Sequence, residues 1–170
     1  QRLALGCAVL HRPRIVFLDE PTSGVDPVMR RKFWELINDL SAEGVTVMVT
    51  THFLEEAEYC NDIILINAGK IIAGGSPKEL KQNYIKHPIL EVQCSNVVDA
   101  LEKIEGEPWA VETSIFGTSI HVNVEDEVTA QEQIRNTLSR HGIDLLGIER
   151  ITPSLEDVFI YLLEHGGGNR

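Results

Sequence analysis

The sequence predicts an α/β chain in two parts, a parallel-sheet part followed by a small α+β part. Three observations carry that prediction. Two short apolar runs, Ile15–Leu18 and Val45–Val49, bracket a helical pattern. Strand, helix and strand over so short a span make a right-handed crossover with parallel strands. From Ile89 onward the rhythm changes to strand, helix, two hairpin strands, helix, strand. The charge shifts as well: residues 1–84 hold 9 Lys/Arg and 11 Asp/Glu, whereas residues 85–170 hold 6 and 15.

Taken in order, Leu3, Leu5, Ala8, Val9 and Leu10 lie on a helix apolar around most of its circumference, the pattern of a helix packed inside a larger domain. His11-Arg12-Pro13 ends it, because residues before proline avoid the helical region. Ile15–Leu18 is apolar on both faces, as a buried parallel strand is. Pro21 cannot continue a ladder, so the strand stops near Glu20. Asp19 and Glu20 therefore stand at the carboxyl end of a central strand, where open α/β sheets bind ligands. Successive strand residues point opposite ways, so one carboxylate can hold a cation while its neighbour orients a water.

Thr22-Ser23-Gly24-Val25-Asp26 reads as a tight polar loop. Asp26 before Pro27 is a helix start, and the helix runs to about Ala42 with Phe33, Leu36, Ile37 and Leu40 on one stripe. Glu43-Gly44 ends it. Because the two strands are expected to run parallel, His52, just past the Val45–Val49 strand, emerges on the same carboxyl edge of the sheet as Asp19 and Glu20. Phe53–Cys60 is a short acidic helix, Asp62–Asn67 a strand, Lys70–Ala73 its return, and Lys78–Tyr84 a helix capped by Ser76. Lys86-His87-Pro88 marks a boundary, giving parts 1–84 and 85–165.

The second part reads as strand Ile89–Cys94, helix Val97–Ile104, strand Trp109–Ile115, a turn at Gly117, strand Thr118–Val124, helix Val128–His141 and strand Asp144–Ile151. That is β-α-β-β-α-β, the split ferredoxin-like order. Ile120, Val122 and Val124 alternate with His121, Asn123 and Glu125 along the hairpin. Ser154 caps a last helix whose positive end is favoured by Glu156 and Asp157. Gly166–Arg170 is expected to be disordered.

Composition excludes several classes. Apolar content of 43% suits a globular core. No stretch reaches the ~18 to 20 apolar residues of a membrane span, and no signal-peptide pattern opens the chain. The chain begins without Met, in mid-helix pattern, and reads as the C-terminal part of a longer protein. Cys7, Cys60 and Cys94 form no C-x-x-C pair, which leaves neither a disulfide framework nor a zinc motif. The six histidines show no ligand spacing. The acidic second part would repel phosphate backbones, and its strands offer only Trp109 and Phe116 as stacking aromatics, so nucleic acid is not an expected partner.

The octapeptide Ile15-Val16-Phe17-Leu18-Asp19-Glu20-Pro21-Thr22, the following Ser23-Gly24-Val25-Asp26-Pro27, and Val49-Thr50-Thr51-His52 together resemble the distal half of an ABC-type ATPase: Walker B strand, D-loop and switch-histidine loop, in that order. Gln1-Arg2-Leu3-Ala4-Leu5 looks like the helix just after the ABC signature. The resemblance covers residues 1 to about 82 and implies the distal half of a P-loop NTPase (RecA-like) parallel sheet. Pro153-Ser154-Leu155-Glu156-Asp157-Val158-Phe159 resembles the C-terminal domain that follows the ATPase in ABC-2-type exporter subunits.

The resemblance implies two ATP molecules between two ATPase domains. It implies that Asp19 coordinates Mg²⁺, that Glu20 is the general base, and that His52 contacts the γ-phosphate. Ser23 and Asp26, on the D-loop, would serve the nucleotide sites, Asp26 reaching across the dimer. Simpler readings stand beside these: Asp26 is accounted for as a helix cap, His52 as a surface histidine at a strand end, and the Asp19–Glu20 pair as a solvated strand end. Implied partners are transmembrane permease subunits and a second ATPase subunit, at the cytoplasmic face of the cell membrane. The glycine-rich phosphate loop with its lysine is absent from the 170 residues, so this stretch alone is expected to be inactive. Bare apolar surface around Leu3–Leu10 and Val45–Val49 leads to an expectation of self-association. Alternatives are a soluble ABC ATPase outside transport and a regulatory or dimerisation module.

Overall fold

The computed structural model describes residues 2–165, with side chains described from residue 5. The expected disorder of Gly166–Arg170 lies outside the described residues. The chain is a mixed α/β protein in two compact units, Gln1–Ile63 and Ile64–Arg170.

The first unit runs α1 (Arg2–Val9), β1 (Ile15–Asp19), α2 (Pro27–Ala42), β2 (Thr46–Thr50) and α3 (Leu54–Ala57). Local chemistry fixes the bounds of α2. Asp26 Oδ1 accepts from the backbone N–H groups of Val28 at 3.1 Å and Met29 at 3.0 Å, and Pro27 opens the first turn. At the far end Gly44 takes φ 90°, a conformation that carries a strong penalty for residues with a Cβ. β1 and β2 pair in parallel, with Val16 beside Val47, Leu18 beside Val49 and Asp19 beside Thr50. The crossover thus brings the two strand ends to one edge.

One expectation for these strands fails. Val16, Leu18, Val47 and Val49 pack with Leu5, Phe33, Trp34 and Ile37. Alternation sends the other residues to the opposite face, and that face is bare: Phe17 is 73% exposed, Ile15 54% and Met48 54%. The strands are apolar on two faces but covered on one, because the helices of this unit line a single side. Leu10 is 84% exposed as well. Of the bare surface anticipated around Leu3–Leu10 and Val45–Val49, Leu10 and Met48 are exposed, whereas Leu5 is buried and Val9, Val45, Val47 and Val49 pack against the core; the side chain of Leu3 lies outside those described. Trp34 anchors the covered side, 2% exposed and stacked on Tyr59 at 5.5 Å. Burying such a ring stabilises the fold by about 2–3 kcal/mol.

The second unit holds β3 (Ile63–Asn67, which starts on the last residue of the first unit), β4 (Lys70–Gly75), α4 (Pro77–Tyr84), β5 (Ile89–Cys94), α5 (Val97–Ile104), β6 (Ala110–Phe116), β7 (Ser119–Val124), α6 (Glu127–Arg140), β8 (Leu145–Ile151) and α7 (Leu155–His165). The hairpin β3–β4 and α4 group with this unit rather than with the first. Ser76 and Glu79 form a reciprocal cap at the start of α4. β5 to β8 form one antiparallel sheet in the order β6-β7-β5-β8. Leu90, Val92, Ile120, Val122 and Val124 build its apolar face against Ala100, Ile104, Ile134 and Leu138 of α5 and α6, all 0% exposed. The opposite face carries Glu112, Ser114, His121 and Asn123 and meets α7. Ser154 caps α7 as expected, its hydroxyl accepting from Asp157 N–H at 3.1 Å.

Candidate functional site

The edge where β1 and β2 end concentrates the polar chemistry of the first unit. Asp19 is the last residue of β1, and the Thr50 hydroxyl beside it donates to its Oδ1. Glu20 N–H donates to both the carbonyl of Thr50, at 3.0 Å, and its hydroxyl, at 3.1 Å. Thr50 thus clamps the two carboxylate-bearing residues. Glu20 adopts φ 42°, in the left-handed region that costs a residue with a Cβ about 1–2 kcal/mol. That turn swings its side chain toward β2, where His52 Nδ1–H donates to Glu20 Oε1 at 3.0 Å. Both side chains stay open to solvent, His52 at 57% and Glu20 at 46%.

Behind this exposed pair lies a buried network. Glu56 of α3 is 2% exposed. Its Oε1 accepts from the Thr22 hydroxyl at 2.5 Å and pairs with Arg30 Nε at 3.3 Å; its Oε2 accepts from the Thr51 hydroxyl at 2.9 Å. Arg30 also lies over the Phe53 ring at 4.3 Å, and Phe53 leans on His52 at 4.1 Å. Three neutral or cationic partners offset the desolvation of one buried carboxylate. The network ties the loop after β1, the loop after β2 and the first turn of α2 to one atom pair, and so fixes the segments that carry Glu20 and His52.

Of the residues singled out from sequence, Asp19, Glu20 and His52 come together. Ser23 continues the turn, its N–H donating to Glu20 C=O at 3.1 Å. Asp26 Oδ1 is engaged at the start of α2. Sequence reasoning missed Thr50, Thr22, Glu56 and Arg30. Thr50 was open to discovery, since a parallel register sets it beside Asp19. Glu56 carried no such signal, sitting among Glu55 and Glu58 in one acidic turn.

The second unit holds a polar cluster that the sequence did not mark. Asp157 Oδ1 accepts from His121 Nδ1–H at 2.8 Å, and its Oδ2 accepts from the Ser154 hydroxyl and N–H at 2.7 Å each. Burial raises the Asp157 pKa, but the His121 and Ser154 hydrogen bonds outweigh it and hold the carboxyl below its ordinary 3.8. Nearby Glu112 is pushed up to about 7 by burial and by the Glu164 carboxyl against it. For Asp157 the folded state favours the ionised form. Its stabilisation is full above pH 3.8 and disappears as pH falls through the lower folded value. The melting temperature of the second unit is expected to drop as pH falls below about 3.8, and Asp157→Asn to flatten that drop. Near-ultraviolet circular dichroism against pH measures both.

Adjacent carboxylates, a clamping threonine and a histidine thus stand together at the ends of two parallel strands. Residues 75–162 match the family described as ATP-binding protein DrrA1-3-like, C-terminal domain, and the chain belongs to that family. Residues 1–55 also match a model described as AAA domain, putative AbiEii toxin, Type IV TA system. The daunorubicin resistance ATP-binding protein DrrA2 of Streptomyces coeruleorubidus is 37% identical over 173 residues, covering 97% of this chain and 52% of that protein. The Nod factor export ATP-binding protein I of Rhizobium sp. (strain N33) is 35% identical over 163 residues, covering 95% and 51%. The probable multidrug ABC transporter ATP-binding protein YbhF of Escherichia coli (strain K12) is 63% identical over 81 residues, 48% of this chain and 14% of that one. A solved structure of cbiO1 from Clostridium perfringens, part of the ABC transporter complex cbiONQ, overlaps 46% of this chain and 32% of its own at 30% identity and TM-score 0.43. The chain spans about half the length of DrrA2 and of the Nod factor protein. No helix among the described residues is long and apolar enough to cross a membrane.

Proposed function

We propose that this chain is the distal half of an ATP-hydrolysing subunit that energises a membrane exporter. The observation that carries the reading is the Glu20–His52 contact at 3.0 Å beside Asp19, on one edge of two parallel strands. Asp19 would hold Mg²⁺, a hard cation that takes carboxylate oxygen, and the ion would supply charge neutralisation for the phosphates. Glu20 takes the proton of the attacking water, and His52 holds that carboxylate and meets the γ-phosphate. Ser23 and Asp26 lie on the loop that faces the second ATPase subunit, with Asp26 capping α2 at the same time. In this reading the β1–β2 pair belongs to a P-loop (RecA-like) sheet, and the β5–β8 sheet is a ferredoxin-like accessory domain. The whole subunit sits at the cytoplasmic face of the membrane, docked to permease subunits. Export ATP-binding proteins among the relatives support that assignment.

Nothing in the 170 residues supplies a glycine-rich loop with its lysine to cradle phosphate. The purified chain is therefore expected to turn over no ATP, while a longer chain carrying that loop does. A coupled phosphate-release assay on both tests the reading. Mg²⁺-dependent turnover by this chain alone, lost on Glu20→Gln, would overturn the inactivity. A longer chain without turnover would overturn the ATPase assignment.

A further inference from the structure

We propose that the second unit carries a site for a divalent transition-metal ion of the zinc type, built from Glu112 of β6 with Glu164 and His165 at the end of α7. One donor atom from each of the three lies within 4.8 Å of the others. Ligand atoms about 2.0–2.2 Å from a shared zinc stand roughly 3.5 Å apart, so modest side-chain rotation closes the shell. Glu164 is exposed, which permits that rotation on its side. Two carboxylates and an imidazole suit zinc, manganese or nickel, whereas magnesium favours oxygen and water alone.

The histidine is prepared for the task. His165 Nδ1–H donates to the Tyr161 carbonyl at 3.1 Å. A carbonyl only accepts, so Nδ1 carries the proton and Nε2 keeps its lone pair. Ligating imidazoles have this arrangement, with the second ring nitrogen tied to a carbonyl or carboxylate. Stacking on Tyr161 at 4.3 Å holds the ring plane as well.

An independent observation points to a cation. Asn123 is 6% exposed and stands opposite Glu112 in the β6–β7 register. Both line one cleft, with Ser114, His121 and Asp157, that has room for about one water-sized species. Asn123 Oδ1 has no hydrogen-bond partner among the described residues, and neither has the buried Oε1 of Glu112. Two buried acceptor oxygens without a partner are costly, and Glu112 stands against the Glu164 carboxyl as well. A divalent ion on Glu112 offsets the cost of its unpartnered oxygen and of the carboxyl against it. It also joins the end of α7 to the outermost strand of the sheet. Sequence spacing hides the site, because Glu112 is brought to α7 only by the fold.

Zinc titrated into the chelator-stripped chain by calorimetry is the test, with magnesium as control. One zinc per chain is expected to bind in the micromolar range or tighter and to raise the melting temperature of the second unit. Glu112→Gln and His165→Ala should each weaken binding by at least about tenfold. His165 is exposed, so His165→Ala decides the matter should Glu112→Gln fold poorly. A Glu20→Gln/His52→Ala double variant, which removes the carboxylate–imidazole pair of the other unit, should leave the isotherm intact. Absence of zinc binding, an isotherm unchanged in both Glu112→Gln and His165→Ala, or binding lost only in the double variant would each overturn the proposal.

Discussion

Glu20→Gln in the longer ATPase proposed above is expected to slow ATP turnover by about 10²–10⁴-fold while leaving nucleotide binding in place. The amide keeps the size of the carboxylate and one acceptor for His52, so the local geometry survives. It cannot take a proton from water. Binding is expected to persist because the metal ligand assigned here is Asp19, whose Oδ1 is held by Thr50 and not by Glu20. Single-turnover hydrolysis beside equilibrium binding of a fluorescent nucleotide separates the two effects. Turnover that stays within a fewfold of the parent would remove Glu20 as the base and leave the Asp19–Glu20 pair as a solvated strand end. A loss of binding equal to the loss of turnover would instead mean that Glu20 helps hold the nucleotide.

The second large effect is structural. Glu56→Ala is expected to destabilise the first unit by about 3–5 kcal/mol, the loss typical when one partner of a buried ion pair is removed. The hydroxyls of Thr22 and Thr51 lose their acceptor, and the guanidinium of Arg30 loses its ion-pair partner. Glu56→Gln keeps the volume and one acceptor oxygen, so a smaller loss is expected. Urea unfolding followed by Trp34 fluorescence reads this unit selectively, since Trp34 is 2% exposed in its core and Trp109 can be replaced by Phe. A midpoint for Glu56→Ala equal to that of the parent would show that the network is not coupled to the fold. The residues positioned by this network are Glu20 and His52, so turnover should fall with stability in the longer chain.

What was legible in the sequence was what local chemistry and handedness fix. Asp26-Pro27 and Glu43-Gly44 set the ends of α2 through caps that depend only on neighbouring residues. Parallel pairing of the two strands then required Asp19, Glu20 and His52 to share an edge, and they do. The alternation in Ser119–Val124 and the helices around it gave the β-α-β-β-α-β order of the second unit. What stayed hidden depended on tertiary contacts. Ile15, Phe17 and Met48 have the composition of buried strand residues, yet burial is decided by what packs against a face. Glu56 differs from Glu55 and Glu58 only in direction. Glu112, Asn123 and Asp157 lie on separate elements with no shared spacing, so only the fold brings them to one cleft.

The left-handed backbone at Glu20 has a consequence for redesign of this domain. Glycine occupies φ 42° without the steric penalty a Cβ brings, and a procedure that scored conformational energy alone would choose it there. The chain keeps instead a long anionic side chain, one that ends 3.0 Å from an imidazole. Position 20 is thus where optimisation for thermal robustness and retention of reactivity pull in opposite directions. A stabilised variant of this domain that keeps its chemistry must gain its robustness elsewhere and leave the strained turn untouched.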